Sequence, residues 1–409
     1  MSPPAPHHKR SFVVTLGLLT GLAALTVDLS LPAIPAMVEA LATNLQRSQQ
    51  IVGIFMAGMA FGQIPAGLFA DRLGRMPVLY VGMSLFAIAA TIAANANDIE
   101  VLLGARFLQG FGAASALVVS RAIVRDVASG KEAARLMSLM MMIFTAAPVI
   151  APSIGALLVA QWGWRTPFTL IAACGFAILL AIRSNLFETH TPTTGQHPVR
   201  QLISSFAEFF SHRQSIFGLL LIILPPAGFM SIITVSAALV VEIYGFSIQA
   251  FGLVFATAGL SILSGAAVNR ILVARFDMMQ LLTIAVVLIA ISGTQLLVIA
   301  WLDSAPFWWL WMNICIFMFT VAILMPNSLV VALDPLPRIA GVASSIIGTL
   351  QNILGAIGAI AGALIYDGSV RHSVVIIATV SAITIAVFLL KPLIAPGPFM
   401  HHPDELARD

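Results

Sequence analysis

The chain has 409 residues, 59% of them hydrophobic and only 9% charged, with a mean hydropathy of +1.00. A soluble domain carries about 25% charge, so this composition builds no water-facing surface and lipid is the main solvent. The net charge of +3 sits in short loops between apolar segments, which argues against nucleic-acid binding, and two cysteines in opposite halves, Cys174 and Cys315, exclude a disulfide framework or a cysteine metal site.

The N-terminus is basic at Lys9 and Arg10 and then turns apolar. The run from Ser11 to Met37 is too long for a signal peptide and reads as a first span retained in the mature protein. A span needs about 20 mostly apolar residues. Twelve such segments follow one another near 11–37, 49–70, 77–94, 101–122, 136–160 and 166–187, then 215–243, 250–271, 279–300, 307–332, 341–365 and 372–390. Glu188 to Arg213 is the longest polar interruption and contains Thr191-Pro192-Thr193-Thr194-Gly195, a linker composition. The expected organisation is an N-terminal six-helix bundle (1–187), a cytoplasmic linker (188–214), and a C-terminal six-helix bundle with a tail (215–409). Within the linker, Val199 to Ser211 places Leu202, Ile203, Phe206, Phe209 and Phe210 on one side of a short helix. That helix either lies on the membrane surface or is a plain connector.

Lysine and arginine set the direction of insertion. With a cytoplasmic N-terminus and twelve alternating spans, sixteen of the 20 basic residues face the cytoplasm, only Arg47, Arg165 and Arg371 face outward, and Arg106 lies inside a span. A missed span would invert every later loop and destroy this asymmetry. The two halves also echo each other: Asp71-Arg72 after the second span and Asn269-Arg270 after the eighth occupy matching places. Repeated six-span halves are a common transporter plan, with a substrate site between them at mid-membrane.

The turn Gly67 to Arg75 carries the most specific local pattern. Gly67 is expected to let two helices approach closely. Asp71 ends the second span, where it can face the positive N-terminus of another helix, and Gly74 permits a bend that other residues resist. Arg72 and Arg75 can pair with acids of neighbouring spans, Asp126 among them.

Gly67-x-x-x-Asp71-Arg72-x-Gly74-Arg75 resembles the signature between the second and third helices of the major facilitator superfamily. Asp28-Leu29-Ser30-Leu31-Pro32-Ala33-Ile34-Pro35 resembles the first-helix motif of its drug:proton antiporters, especially the Bcr/CflA (chloramphenicol/bicyclomycin resistance) group. Arg106-Phe107-Leu108-Gln109-Gly110 is similar to the fourth-helix motif, Arg125-Asp126 to the pair that closes that helix, and Ala147-Pro148 through Pro152 to Gly155 to the fifth-helix antiporter motif. Trp164-Arg165 and Phe168 also fit the pattern. Met76 stands where a third basic residue is usual, Ser30 replaces a common tyrosine, and alanines replace glycines of the fifth-helix motif.

Asp28 is the one acid placed deep in a span. Such a carboxylate must face a cavity or be neutralised, and the resemblance implies that it carries the transported proton. The competing reading is a carboxyl that hydrogen-bonds helix backbone near Pro32 and Pro35. Arg106, ionised at any working pH, needs a partner such as Asp28 or helix carbonyls, and Gln109 shares its helical face. Pro148 and Pro152 interrupt the fifth helix's hydrogen bonds and are expected to bend it, or are simply tolerated in lipid. Met140-Met141-Met142 reads as packing, and Trp308, Trp309 and Trp311 as interface anchors. The histidines form no metal set, and no phosphate-binding glycine loop occurs, so no cofactor or metal is expected and an electrochemical gradient supplies the energy.

The combined expectation is an all-α integral membrane protein of the major facilitator fold, not an enzyme, in the cytoplasmic (inner) membrane with both termini cytoplasmic, acting as a monomer. It exports small, mostly apolar, drug-like compounds in exchange for protons, with Asp28, Arg106 and Gln109 coupling the proton. Gly67, Asp71, Arg72, Gly74, Arg75, Arg125 and Asp126 form a cytoplasmic gate, and Pro148, Pro152 and Gly155 form the antiporter helix. Its partners are the small-molecule substrate, protons and membrane lipid, with no nucleic acid. A metabolite exporter or a proton-coupled importer on the same fold is the alternative.

Overall fold

The computed structural model describes residues 10–128, 130–190, 198–302, 305–336 and 339–399. The linker residues Thr191 to Gly195 and the tail histidines His7, His8, His401 and His402 lie outside the described residues, as do the side chains of Leu202, Ile203 and Met141. Fifteen α-helices follow in order among the described residues: α1 (Arg10–Ser30), α2 (Ile34–Ala40), α3 (Leu45–Leu73), α4 (Arg75–Ala94), α5 (Ile99–Val127), α6 (Gly130–Trp162), α7 (Thr166–Asn185), α8 (Pro198–Ser211), α9 (Arg213–Ala238), α10 (Ile248–Leu272), α11 (Met278–Leu302), α12 (Phe307–Leu333), α13 (Ala340–Ile365), α14 (Val370–Leu389) and α15 (Lys391–Ile394).

Eleven of these segments are long and apolar enough to cross a bilayer, the first being the continuous run Arg10–Ala40. The expected segment 136–160 lies inside α6, whose apolar stretch is Ala146–Trp162. Helices are the natural outcome, because in hydrocarbon every backbone N–H must be satisfied within its own segment. Prolines sit inside several of them, at Pro65 of α3, Pro148 and Pro152 of α6, Pro225 and Pro226 of α9 and Pro326 of α12. The helix α6 is continuous through both of its prolines.

Contacts divide the chain into two compact units. The first holds residues 1–195 with 236–259, and the second residues 196–235 with 260–409. The end of α9 and the first half of α10 therefore group with α1–α7.

In the first unit the helices meet through missing side chains. A Cβ on Gly58 of α3 would overlap the carbonyl oxygen of Phe107, and one on Gly110 of α5 would overlap that of Phe55, so α3 and α5 touch backbone to backbone. Gly82 of α4 faces the Ser115 side chain of α5, and Gly17 of α1 faces the end of Ile143 on α6. Close approach of this kind replaces the hydrophobic drive that lipid removes. Gly67 does not belong to this set. A Cβ there would meet only Val118 Cγ1 at 3.7 Å, an ordinary contact, so the close approach expected at Gly67 is made instead earlier in the helix, at Gly62 and Gly58.

The second unit combines close glycine contacts of the same kind, Gly265 of α10 against the Phe319 carbonyl of α12 and Gly358 of α13 against the Ala227 carbonyl of α9, with side-chain packing. Phe217 and Leu221 of α9 interleave with Leu282, Ala285 and Ile289 of α11 and with Ile323 and Leu324 of α12. The amphipathic α8 is anchored there too: Phe209 is fully buried against Leu219, Ile222, Leu336 and Ile346, while Phe210 on the flank is exposed. Of the tryptophan cluster, Trp308 is exposed, whereas Trp311 is buried and stacks on Phe307 at 5.8 Å. Trp309 donates to Gln295 Oε1 at 2.9 Å.

Candidate functional site

The site divides into a buried region along α1, α5 and α6 and a polar cluster at the α3–α4 turn. Asp28 lies near the end of α1, 4% exposed, and makes no hydrogen bond or ion pair with another described residue. Two positions earlier, Thr26 Oγ1 is also buried and unpaired. The α-helix stops at Ser30, and Leu31–Ala33 form a tighter 3-10 turn carrying Pro32 before α2 begins. Immediately beside Asp28, the carbonyl of Leu29 fills the space that a Cβ on Gly155 would need, so the antiporter-motif glycine brings α6 against α1 at the acidic residue. On another side of α6, Cβ atoms on Gly252 and Gly259 of α10 would press on Ser153 and Val149, and Ser153 Oγ donates to the Gly252 carbonyl at 3.1 Å.

Arg106 is completely buried on α5. Its Nε donates to the Ile51 carbonyl of α3 at 3.2 Å, and its Nη1 to Gln109 Oε1 at 2.9 Å. The guanidinium lies over the Phe55 ring at 4.6 Å and near Phe168 at 5.8 Å. Of the two partners open to Arg106 in the sequence, the structure uses helix carbonyl and not Asp28. The Nη2 of Arg106 and the Nε2 of Gln109 remain unpaired, as do the buried Ser48 hydroxyl and the Gln49 amide. An ionised group held this way costs several kcal/mol to bury unless its remaining donors are satisfied, and the two aromatic faces return part of that through cation–π attraction.

The polar cluster is built around Arg75. Its Nε donates to Asp126 Oδ2 at 2.9 Å and its Nη1 to Asp71 Oδ1 at 2.6 Å, across the turn from the end of α3. Such charge-assisted bonds are roughly twice as strong as neutral ones. Gly74 ends α3 and begins α4 with φ +97°, the left-handed region open to glycine. Arg72 and Arg125 are exposed and take no part in the cluster.

One expectation needs correction here. Asp71 does not face a helix N-terminus; Glu188 does. Its carboxylate accepts from the backbone N–H of Arg75 at 2.9 Å and of Met76 at 3.0 Å, the free donors of the first turn of α4. It also accepts from the N–H groups of Thr189 and His190. Burial pushes this carboxyl up, but the four N–H donors outweigh it and hold it below the ordinary glutamate range. Sequence reasoning missed Glu188 because it stands at the head of a polar linker, more than a hundred residues from its partners.

In the second unit, Asn269 stands at the place that Asp71 takes in the first, and Asn327 of α12, 3% exposed, donates to its Oδ1 at 2.8 Å.

Fold and site together define a multi-pass helical transport protein, not an enzyme. The family profile described as Major Facilitator Superfamily matches residues 16–359, and the chain belongs to that superfamily, whose fold is two bundles of six helices. It is 30% identical over 362 residues to an uncharacterised MFS-type transporter, YdgK, of Bacillus subtilis, covering 87% of this chain and 89% of the relative. A bicyclomycin resistance protein homologue of Haemophilus influenzae is 28% identical, with coverage of 87% and 88%. Among solved structures, a D-xylose–proton symporter superposes with TM-score 0.76 over 93% of this chain and 96% of its own; at 16% identity that likeness speaks for the fold alone.

Proposed function

We propose that this transporter exports small, mostly apolar, drug-like molecules across the cytoplasmic (inner) membrane in exchange for protons, as a monomer with both termini in the cytoplasm. The observation that carries the coupling is Asp28: an acid buried mid-span with no partner among the described residues, pressed by α6 through Gly155 and Leu29. Such a group is held either uncharged, with a proton, or charged where water reaches it. Alternation between the two environments loads and releases one proton per cycle.

Arg106 and Gln109 set the potential around that carboxyl, and Pro148, Pro152 and Gly155 give the α6 surface along which it packs. Arg75, bridged to Asp71 and Asp126, closes the cytoplasmic end. The similarity to a bicyclomycin resistance protein homologue supports a drug-like substrate, and the basic loops support the orientation.

The test is a drug-susceptibility panel on cells with and without the protein, repeated with a protonophore, and then efflux in everted vesicles for the compounds that respond. Asp28→Asn is expected to reach the membrane in normal amounts and to lose pH-driven export. Full proton-driven export by that variant would refute the assignment.

A further inference from the structure

The gate described above has a component outside the three helices, α3, α4 and α5, that meet in it. Two residues after Leu186 caps α7, Glu188, Thr189 and His190 touch Arg75, Asp126 and Asp71 in turn. Glu188 accepts from the Arg75 and Met76 N–H groups. Thr189 Oγ1 donates to Asp126 Oδ2 at 2.9 Å, the same oxygen that Arg75 Nε reaches. His190 Nε2 lies 3.2 Å from the Asp71 carbonyl. The Glu188 carboxylate also occupies the space above Gly74, where a Cβ would come within 2.6 Å of Oε2.

We propose that Glu188-Thr189-His190 act as a buckle: the first residues of the linker fasten the α3–α4 turn and aim Arg75 at Asp126, so that the gate opens only when the linker lets go. The inference rests on the gate role given to Arg75 and Asp126. Glu188 is a positioning residue in this scheme, because it works through the backbone of Arg75 and touches no substrate. Its carboxylate suits the task for two reasons. It supplies two acceptor oxygens to N–H groups that have no partner within their own helix, and its negative charge meets the positive end of α4.

Hydrogen exchange on the full chain in lipid nanodiscs tests the buckle directly. In Glu188→Ala the Arg75 and Met76 amides are expected to exchange about tenfold faster than in the unmodified protein, with Glu188→Gln intermediate because one acceptor oxygen survives. Unchanged exchange in Glu188→Ala overturns the proposal. Chloramphenicol efflux from proteoliposomes supplies the second readout: Glu188→Ala and Thr189→Val lower turnover with little change in KM, and Glu188→Ala combined with Asp126→Asn loses no more than the worse single variant, since both act through Arg75. Additive losses also overturn the buckle. Should Asp126→Asn alone leave turnover intact, the gate role fails, while the exchange result still decides whether Glu188 fastens the turn. If Glu188→Ala does not fold, Thr189→Val, which removes one hydroxyl, carries the cycle.

Discussion

Gly110, in the motif that also contains Arg106, gives the sharpest test of the packing. Replacing it with alanine places a methyl group over the Phe55 carbonyl oxygen, with the Phe55 carbonyl carbon at 2.9 Å and the Met59 nitrogen at 3.0 Å. Ordinary contact begins at 3.4 Å, so these two atoms alone require α3 to retreat by about 0.5 Å, and the overlapped oxygen requires more. The obstacle is main chain and cannot rotate aside. Overpacking of this kind costs about 1–3 kcal/mol. The same retreat stretches the Arg106 Nε to Ile51 carbonyl bond, 3.2 Å at rest, to roughly 3.7 Å, beyond hydrogen-bond range. Losing a hydrogen bond to a buried charge adds about 1.5–3 kcal/mol. Gly110→Ala is therefore expected to destabilise the protein by about 2.5–6 kcal/mol, summing these two contributions. Gly104 of the same helix is the control: a Cβ there meets nothing within 4 Å, and alanine at a helical glycine gains about 0.5–1 kcal/mol. Thermal melts of both variants in detergent decide the matter. A Gly110→Ala protein that melts with Gly104→Ala would refute the backbone-to-backbone account of α3 and α5.

Gly67→Ala is expected to leave the melting temperature unchanged or slightly raised, since its nearest neighbour is Val118 at 3.7 Å; a loss of more than about 1 kcal/mol would contradict the ordinary contact seen there. At the start of α14, the Ser369 hydroxyl and then His372 hold the Asp367 carboxyl at about 2, below its ordinary 3.8. A depressed value means the loop's carboxylate contacts are intact above about pH 4 and are lost as pH falls through about 2. An NMR titration of the Asp367 carboxyl should give its midpoint near that lower value; a midpoint near 4 would show that the Ser369 and His372 contacts do not persist in solution.

Much of this architecture can be read from the residues because lipid imposes simple rules. Apolar length marks the spans, and lysine and arginine mark the loops. The Arg106–Gln109 contact is also legible, since residues three apart on a helix share a face. Arg75 with Asp126 is less local, yet opposite charges at the ends of adjacent spans have few other places to go. What stays hidden depends on rotation and on distance along the chain. Gly58, Gly62 and Gly67 look equivalent in sequence, and only the azimuth of α3 decides that the first two meet α5 backbone while the third meets only the Val118 side chain at an ordinary distance. Glu188 and Asp71 are both carboxylates near the same turn, and which of them reaches the free N–H groups of α4 depends on where α7 ends in space. Arg106 had two chemically sensible partners, and its Nε goes to the Ile51 carbonyl of α3 because α3 lies backbone to backbone against α5.

The glycine contacts also differ in how they can change over generations. Gly17 is opposed by the tip of Ile143, and Gly82 by the hydroxymethyl of Ser115. A larger residue at either glycine can be accommodated by a smaller one opposite, so each pair is free to drift together. Gly58 and Gly110 are opposed by carbonyl oxygens, which every amino acid carries. No second substitution across the interface can make room there. Related chains should therefore trade bulk at the Gly17–Ile143 and Gly82–Ser115 pairs, while positions 58 and 110 admit no bargain, and a mutational scan of the whole chain would show them, together with other glycines that face a carbonyl oxygen such as Gly62, Gly155, Gly265 and Gly358, as intolerant sites without suppressors.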